Sequence, residues 1–243
     1  MVSDRQSKIL NAIVREHISC AQPISSKLLE KKGKFNICPA TIRNEMQELT
    51  DRGFLCQPHV SAGRVPTDKG YRFFVDNLLK EELLKEDLNL SEYLEEEHLD
   101  TIKLIHLVTK ALTYTSPDLI LSYLFDERIS WREGWENLLM EPEFKEREYL
   151  IDFTDFVKDF EENILETELE CLKICIGKEN PFSKAKDFSI IFSEYSFSDS
   201  QKGVLAIIGP KRMDFAKNIS LINSAIKIFQ NYFIYGKRTK EKN

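Results

Sequence analysis

Four side chains able to hydrogen-bond to base edges fall near the start of one short predicted helix: Thr41, Arg43, Asn44 and Gln47. Arginine can pair with the two acceptors of guanine, and asparagine or glutamine with the donor and acceptor of adenine. A helix presents such groups to DNA when they lie near its N-terminal end, because that end enters the major groove. Together with Ala40, which shares the exposed faces of the helix, these residues predict a surface that reads base pairs.

The helix that carries these residues is predicted from a proline, an apolar stripe and a glycine. Pro39 suits the first helical position, because a missing N–H costs nothing there. Ile42, Met46 and Leu49 recur at helical spacing and would form one buried stripe. Gly53 then fits the left-handed position that ends a helix. The spacing therefore places the polar groups on the faces that the apolar stripe leaves exposed.

A two-stranded ribbon is predicted directly after this helix. Residues 54–57 have the pattern of a short strand, and residues 61–64 that of a hairpin tip. Val65 begins the return strand, which Pro66 confines to the edge of a sheet. Side chains on the tip would reach the DNA backbone or the minor groove, and the residues expected to do so are His59, Ser61 and Arg64.

Two helices are predicted before the polar helix and a fourth after the ribbon. Ser3 and Gln6 form a capping box for the first helix, and Thr67 can cap the fourth. Ser25 or Ser26 can cap the second helix, whose start could hold a phosphate group through Ser25, Ser26 and Lys27. Helix, helix, turn, helix and ribbon is the order of a winged helix-turn-helix. The alternative is a three-helix scaffold for protein contacts, with these polar residues merely solvated.

The charge of the chain is divided unevenly and favours the DNA-reading interpretation. The formal net charge is −6, but residues 1–80 hold 13 Lys and Arg against 8 Asp and Glu, and the remainder holds 21 against 32. Such asymmetry indicates one nucleic-acid-facing module on an acidic body. We therefore expect a winged helix-turn-helix over 1–80, an acidic helical connector over 81–100 and a second domain over 101–243.

The C-terminal part changes from helical to strand-like patterning along its length. Helices are predicted over residues 101–125, 149–172 and 213–233, and Ser116-Pro117 would begin a second helix that includes Leu119–Leu121. Apolar runs predict three strands, over residues 172–176, 188–195 and 203–208. Three strands followed by a helix describe half of an α/β sensor domain. The fold class expected for the whole chain is therefore α+β, with long helices in the second domain.

A small-molecule pocket in the C-terminal part is the less favoured interpretation of its aromatic residues. Phe182, Phe188, Phe192 and Tyr195 could line one, but aromatic residues at strand spacing more often form core. The segment IIGPKR has neither the glycines nor the final GK[ST] of a phosphate-binding loop. Because no nucleophile–base pair or metal cluster is visible, we expect a protein that is not an enzyme and has no cofactor and no metal.

The cysteines and the apolar runs indicate the compartment. The five cysteines are odd in number and form no C-x-x-C pair, which is typical of reduced thiols. Cys38 precedes a helix start, where the dipole could make it a redox sensor, although a small residue near a cap is the favoured reading. No apolar run reaches the ~18 residues needed to cross a bilayer. The sequence MVSDRQSK lacks the plan of a signal peptide, so a cytoplasmic location is expected.

Several of these segments resemble the HrcA family, the heat-inducible transcription repressors of bacteria. The likeness is carried by RQSKILNAIVREHI, PATIRNEMQEL and QPHVSAGRVPTDKGYRFFVDNLL in the first eighty residues. It resumes in GWENLLMEPEF, IGKEN and GVLAIIGPKRMDFAKNISLI in the last hundred and ten. Compared with the family pattern, about a hundred residues are missing between roughly Phe125 and Trp135. Cys38 stands where the family often has serine.

The resemblance implies a fold, partners and a mode of regulation. Family members are dimeric repressors with a winged helix, a GAF-like domain and an inserted dimerisation segment. They bind an inverted-repeat operator in double-stranded DNA upstream of chaperone operons, and the GroEL chaperonin helps to maintain their active form. By this resemblance the chain is a homodimeric repressor of heat-shock genes. It is a shortened form that lacks the inserted segment and part of the GAF-like domain. The reduced regulatory and dimerisation domain would occupy residues 101–243, with only three strands expected.

Two other functions remain open from the sequence. One is a ligand-responsive winged-helix regulator that senses a small molecule through its C-terminal domain; reproducible thermal stabilisation by a ligand would favour it. The other is a winged helix used only for protein assembly, against which the positive charge of residues 1–80 speaks.

The resemblance places the residues that read DNA on the third helix and the ribbon, at 39–49 and 59–67.

Overall fold

The computed structural model divides the chain into two compact units, Met1–Leu83 and Leu84–Asn243. It describes residues 2–32, 35, 37–80, 100–164, 172–197 and 201–240, the last ten by their backbone alone. The acidic connector predicted over 81–100 lies outside these residues except for Asp100. Within the described part, no helix is long and apolar enough to cross a membrane.

In its described residues, the first unit consists of four helices and a two-stranded ribbon. In chain order they are α1 (Asp4–Cys20), α2 (Ser26–Lys32), α3 (Pro39–Asp51), β1 (Leu55–Cys56), β2 (Val65–Pro66) and α4 (Asp68–Lys80). The capping box predicted for α1 is confirmed, since Ser3 and Gln6 each accept a backbone N–H of the other at 3.2 Å. The start of α3 at Pro39 and the cap of α4 by Thr67, whose hydroxyl accepts the N–H of Gly70, are also confirmed.

One apolar core holds the first unit together. The stripe predicted for α3 is buried as expected, and it packs with apolar residues of α1 and α4: Ile9, Leu10, Ile13, Ile42, Met46, Leu49, Tyr71, Phe74 and Val75. The ribbon joins this body through Leu55, which is buried and pairs with Pro66 in antiparallel register. Burial of these side chains on one side of α3 leaves the opposite faces of that helix in solvent.

The second unit is built on one five-stranded antiparallel sheet. Its elements are α5 (Thr101–Leu112), β3 (Leu119–Leu124), β4 (Ile129–Glu133), α6 (Trp135–Leu138), α7 (Arg147–Asn163), β5 (Lys173–Ile176), β6 (Phe188–Ser196), β7 (Lys202–Pro210) and α8 (Phe215–Lys240). Three short 3₁₀ turns cover Pro142–Lys145, Gly177–Glu179 and Ala185–Asp187. The strands lie in the order β4-β3-β7-β6-β5. A mixed fold of helices and sheet, the α+β class expected from the sequence, is confirmed.

Helices cover both faces of this sheet. On one face, Phe153, Phe156 and Phe160 of α7 pack in one buried cluster with strand residues that include Phe188 and Phe192. On the other face, the hydroxyl of Thr109 in α5 lies 2.6 Å from that of Ser122 in β3. The ring of Phe229 in α8 lies 4.8 Å from that of Tyr195 in β6. Strands β3, β6 and β7 therefore form the buried middle layer of three, which explains their nearly unbroken apolar sequences.

Two predictions for this unit are wrong. Residues 119–121 belong to β3 and not to a helix, because each pairs across the sheet with β7, from Leu119 opposite Ile208 to Leu121 opposite Ala206. With β3 and β4 the sheet has five strands where three were expected. The two additional strands are joined by a short turn at residues 125–128, and Leu124 pairs directly with Ile129.

The aromatic residues considered for a ligand pocket are mainly core residues. Phe188, Phe192 and Tyr195 are each at most 1% exposed, and their rings contact neighbouring rings of α7 and α8. Phe182 also packs against Phe156 and Phe160, although its edge borders an open groove of about 410 Å³. The pocket interpretation is therefore wrong for three of the four side chains.

Candidate nucleic-acid interface

Helix α3 presents most of the predicted base-reading residues to solvent. Ala40, Arg43, Asn44 and Gln47 are exposed, whereas Thr41 is only partly exposed. Within the described part of the chain, no hydrogen bond or ion pair occupies the side chains of Arg43 and Asn44. These two groups are therefore available to bind an external partner, which is what a base-reading role requires.

The beginning of α3 lacks the usual side-chain cap. Cys38 occupies the N-cap position, but its side chain makes no capping hydrogen bond, and its Sγ lies 3.3 Å from the hydroxyl of Thr41. This hydrogen bond lowers the pKa of the exposed Cys38 thiol below its ordinary value. Backbone N–H groups of the first turn are therefore left without a side-chain cap, a condition that favours an anion at a helix N-terminus.

The start of α2 shows which of its serines is the cap. The hydroxyl of Ser25 accepts the backbone N–H of Leu28 at 3.2 Å, so Ser25 performs that role. Ser26 is buried, with 8% of its surface exposed, while Lys27 is exposed. Of the three residues predicted to hold a phosphate group, Lys27 thus has the most accessible charged group and Ser26 the least accessible side chain.

Arg64 is not at the ribbon tip, contrary to the prediction. It directly precedes β2, and its backbone pairs with Ile24 through two N–H···O bonds of 2.8 Å. Its guanidinium donates to the hydroxyl of Thr50 at 3.0 Å and to Oε1 of Gln47 at 2.9 Å. Gln47 in turn donates to Asp51 at 2.7 Å. Two predicted DNA contacts therefore bind each other and attach the ribbon to α3.

The actual tip of the ribbon is a short loop that the sequence argument did not resolve. The backbone N–H of Ala62 donates to the carbonyl of His59 at 2.9 Å, and this turn exposes His59, Val60 and Ser61. The side-chain amide of Gln57 donates to the carbonyls of Val60 and Ala62 at 2.8 and 2.9 Å. A strand-and-tip pattern in the sequence contains no signal for such a contact across the loop.

A groove of about 390 Å³ joins the three elements of this surface. Its walls come from the start of α2, the middle of α3 and the ribbon loop, and it also includes Gln57 and Val60. Five of the eleven predicted site residues line it: Ser25, Ser26, Arg43, Ser61 and Arg64. The other six, which do not line the groove, are Lys27, Ala40, Thr41, Asn44, Gln47 and His59.

The ribbon can approach the segment before α2 this closely because residue 63 is glycine. A Cβ atom at Gly63 would overlap the backbone carbonyl and nitrogen of Ile24, whose backbone pairs with Arg64. We expect Gly63→Ala to displace the loop and to destabilise the protein by about 1–3 kcal/mol, as overpacking does. Faster hydrogen exchange at the amides of Ile24 and Arg64 would reveal the displacement.

The matched control for Gly63→Ala is Gly53→Ala. Gly53 has a φ of +75°, but a Cβ there would meet nothing within 4 Å. Gly53→Ala should therefore strain only the local backbone. Hydrogen exchange at the amides of Ile24 and Arg64 should then accelerate only as much as the loss of global stability accounts for. Equal acceleration in both variants would contradict a steric role for residue 63.

Metal and disulfide chemistry find no support in the described part of the chain. No group of three or more His, Cys, Asp or Glu side chains there could hold a metal ion. Among the described residues, Cys20, Cys38, Cys56 and Cys175 form no disulfide bond; the first three are exposed and the last is buried. These residues therefore provide neither a metal site nor a disulfide frame for the surface around α3.

Three helices followed by a two-stranded ribbon, with exposed polar groups on the third helix, form the element order of the winged-helix class. A comparison with protein families then identifies the family to which the chain belongs. The HrcA protein C-terminal domain matches residues 69–219, and the chain belongs to the HrcA family. This finding confirms the family resemblance carried by the sequence segments.

Curated relatives carry the name of the same family, and a solved structure has a similar fold. The heat-inducible transcription repressor HrcA of Thermoanaerobacter sp. (strain X514) is 28% identical, over 95% of this chain and 96% of that protein. The protein of the same description from Thermodesulfovibrio yellowstonii is 27% identical, over 92% and 96%. A crystal structure described as a hypothetical protein is 21% identical, covers 96% of this chain and 99% of that one, and has a TM-score of 0.84, which supports the fold.

The chain is shorter than these relatives inside the matched region. The alignment with the Thermoanaerobacter protein extends over 331 residues, although this chain has only 243. Part of the relative therefore has no counterpart here. This agrees with a shortened form of the family pattern.

Proposed function

We propose that this chain is a transcriptional repressor that binds a specific DNA operator through α3 and the ribbon loop. The exposed and unoccupied pair Arg43 and Asn44, beside a groove shared by α2, α3 and the ribbon, is the observation that carries the proposal. Both side chains can read base edges bidentately. Membership of a family whose relatives are named heat-inducible transcription repressors supports the same role.

The proposed partner is double-stranded DNA with an inverted repeat, bound by a homodimer. A two-fold dimer presents two copies of α3 to half-sites about one helical turn, or a multiple of it, apart. The uncapped start of α3 and the exposed Lys27 would contact phosphate groups and fix the register. The regulated genes are proposed to be heat-shock chaperone genes, as the family resemblance implies; the relatives are named heat-inducible transcription repressors.

The decisive experiment is a titration of labelled inverted-repeat operator and of scrambled DNA over a series of salt concentrations. A specific repressor should bind the operator ~10³-fold or more tightly than the scrambled duplex. Equal and steeply salt-dependent binding to both duplexes would leave only a basic surface and contradict the proposal. Sedimentation of the operator complex should show two protein chains on each duplex.

We expect Arg43→Ala to weaken operator binding by about 1–3 kcal/mol and to relax the base preference at one position of each half-site. Lys27→Ala is the matched control on α2, because a phosphate contact carries no sequence information. It should weaken binding to all sequences alike and lower the salt slope by about 1. If Arg43→Ala discriminates the operator as well as the parent does, α3 is not the element that reads bases.

Heat induction is proposed to act through the stability of the repressor, with the GroEL chaperonin as the partner that maintains the active form. A marginally stable fold loses DNA binding when its folded population falls. The operator complex should therefore be lost near the growth temperature and be retained longer when chaperonin is present. A melting midpoint far above that temperature, unchanged by chaperonin, would contradict this mechanism.

A further inference from the structure

We propose that Val60 makes an apolar contact with the DNA duplex beside the site read by α3, and that Gln57 is the positioning residue that holds Val60 in place. This inference rests on the proposed function and deepens it. Neither Gln57 nor Val60 is among the residues expected from the sequence to contact DNA. It assigns the ribbon loop a contribution that is independent of charge.

Gln57 closes the loop from one side. Its single amide group donates both of its hydrogens, one to the carbonyl of Val60 at 2.8 Å and one to that of Ala62 at 2.9 Å. The turn from His59 to Ala62 adds a backbone hydrogen bond of 2.9 Å. Three hydrogen bonds across so few residues reduce the conformational freedom of the loop before any partner arrives. Such preorganisation lowers the entropic cost of binding.

Val60 is the side chain that these three hydrogen bonds hold at the surface of the loop. It is 97% exposed, more than any other large apolar residue in the described part of the chain. A branched Cβ also restricts its rotamers, so little side-chain freedom is lost on contact. The loop thus holds a nearly rigid apolar group in water, where burial against a partner would be favourable.

The position of Val60 selects DNA as the partner. Val60 lines the same groove as Arg43 and Ser61, so a duplex that contacts Arg43 of α3 also passes the ribbon loop. Apolar side chains bind DNA through thymine methyl groups, sugar faces and wedges between base steps. A valine has no group that binds phosphate, and its contribution should therefore not depend on salt.

The test compares Val60→Ala, Gln57→Ala and the double variant in operator titrations over a salt series. Each single variant should lose about fivefold to tenfold in operator affinity, with the salt slope and the melting temperature of the parent. The double variant should be no weaker than the weaker single variant, because Gln57 acts through Val60. Val60→Thr, which keeps the shape but replaces a methyl by a hydroxyl, should lose an intermediate amount.

Met140→Ala is the matched control, since Met140 is 83% exposed and belongs to the second unit. It should bind the operator as the parent does. Parent-like affinity in both single variants, or additive losses in the double variant, would overturn this inference while the proposed function stands. A parent chain that binds operator and scrambled DNA equally would overturn the proposed function and this inference with it.

Discussion

The free energy of unfolding should fall as the pH rises from about 4 to about 7, because Asp118 is buried and its protonated, uncharged form is favoured in the fold. It is 2% exposed, and its Oδ2 accepts hydrogen bonds from Asn218 at 2.6 Å and from Ser116 at 3.2 Å. Burial raises its pKa from 3.8 to about 7, although both hydrogen bonds act in the opposite direction. Nearby Glu141 raises the pKa and Arg212 lowers it.

The sign of the effect follows from proton binding. Between the two pKa values the folded chain holds a proton at Asp118 that the unfolded chain has released, so a rise in pH favours unfolding. The stabilisation by protonated Asp118 is complete below about pH 4 and is lost above about pH 7. Because a tenfold difference in proton affinity corresponds to about 1.4 kcal/mol, this one group accounts for about 4 kcal/mol over that range.

Asp118→Asn should remove this dependence. The amide cannot ionise, so the free energy of unfolding of the variant relative to the parent should rise by about 3 kcal/mol between pH 5 and pH 8. Urea denaturation at half-unit pH intervals measures the slope, which separates the titration from any fixed cost of the substitution. Asp126→Asn, at an exposed residue of the β3–β4 turn, is the control and should run parallel to the parent. A parallel curve for Asp118→Asn would contradict the buried titration.

Arg212→Ala should destabilise the chain by about 3 kcal/mol, because it leaves two carboxylates without their shared partner. The Arg212 side chain is only 11% exposed. Its Nε donates to Glu143 at 2.5 Å, and its Nη2 donates to Glu143 at 2.8 Å and to Glu141 at 2.5 Å. The guanidinium thereby ties the 3₁₀ turn Pro142–Lys145 to the connection between β7 and α8.

An ion pair with two exposed partners provides the control. Lys158 and Glu162 lie one turn apart in α7, with side chains 74% and 63% exposed. Lys158→Ala should therefore cost no more than about 1 kcal/mol by chemical denaturation. Replacing Arg212 by Met together with Glu141→Gln and Glu143→Gln should recover part of the loss, because no buried charge is then left unpaired. Equal effects of Arg212→Ala and Lys158→Ala would refute a special role for burial.

Local patterns predicted the first unit well. The capping box of Ser3 and Gln6, the proline start of α3 and the buried stripe from Ile42 to Leu49 depend on residues a few positions apart. Interactions of that kind are encoded in short stretches of sequence, so periodicity and capping residues suffice to find them. The exposure of Arg43 and Asn44 follows directly from the same stripe.

Contacts between distant residues were not predictable in this way. The apolar run at 119–121 fits a buried strand as well as a helix, and only its pairing with β7 decides between them. Arg64 reaches Gln47 through the register of the ribbon, which a tip pattern does not specify. Asp118 meets Asn218 across 100 positions of the chain. In each case tertiary structure, rather than local propensity, selects the partner.

The β3–β4 turn also bears on how chain length can vary in evolution. Leu124 and Ile129 are cross-strand partners, so the chain enters and leaves residues 125–128 at neighbouring points about 5 Å apart. An inserted module needs only to begin and end at that spacing, and the entropic cost of a longer loop grows slowly with its length. An insertion between these two residues would leave the pairing of Leu124 with Ile129 in place. This turn is therefore a point at which a whole module could be added or removed without breaking the strand pairing around it.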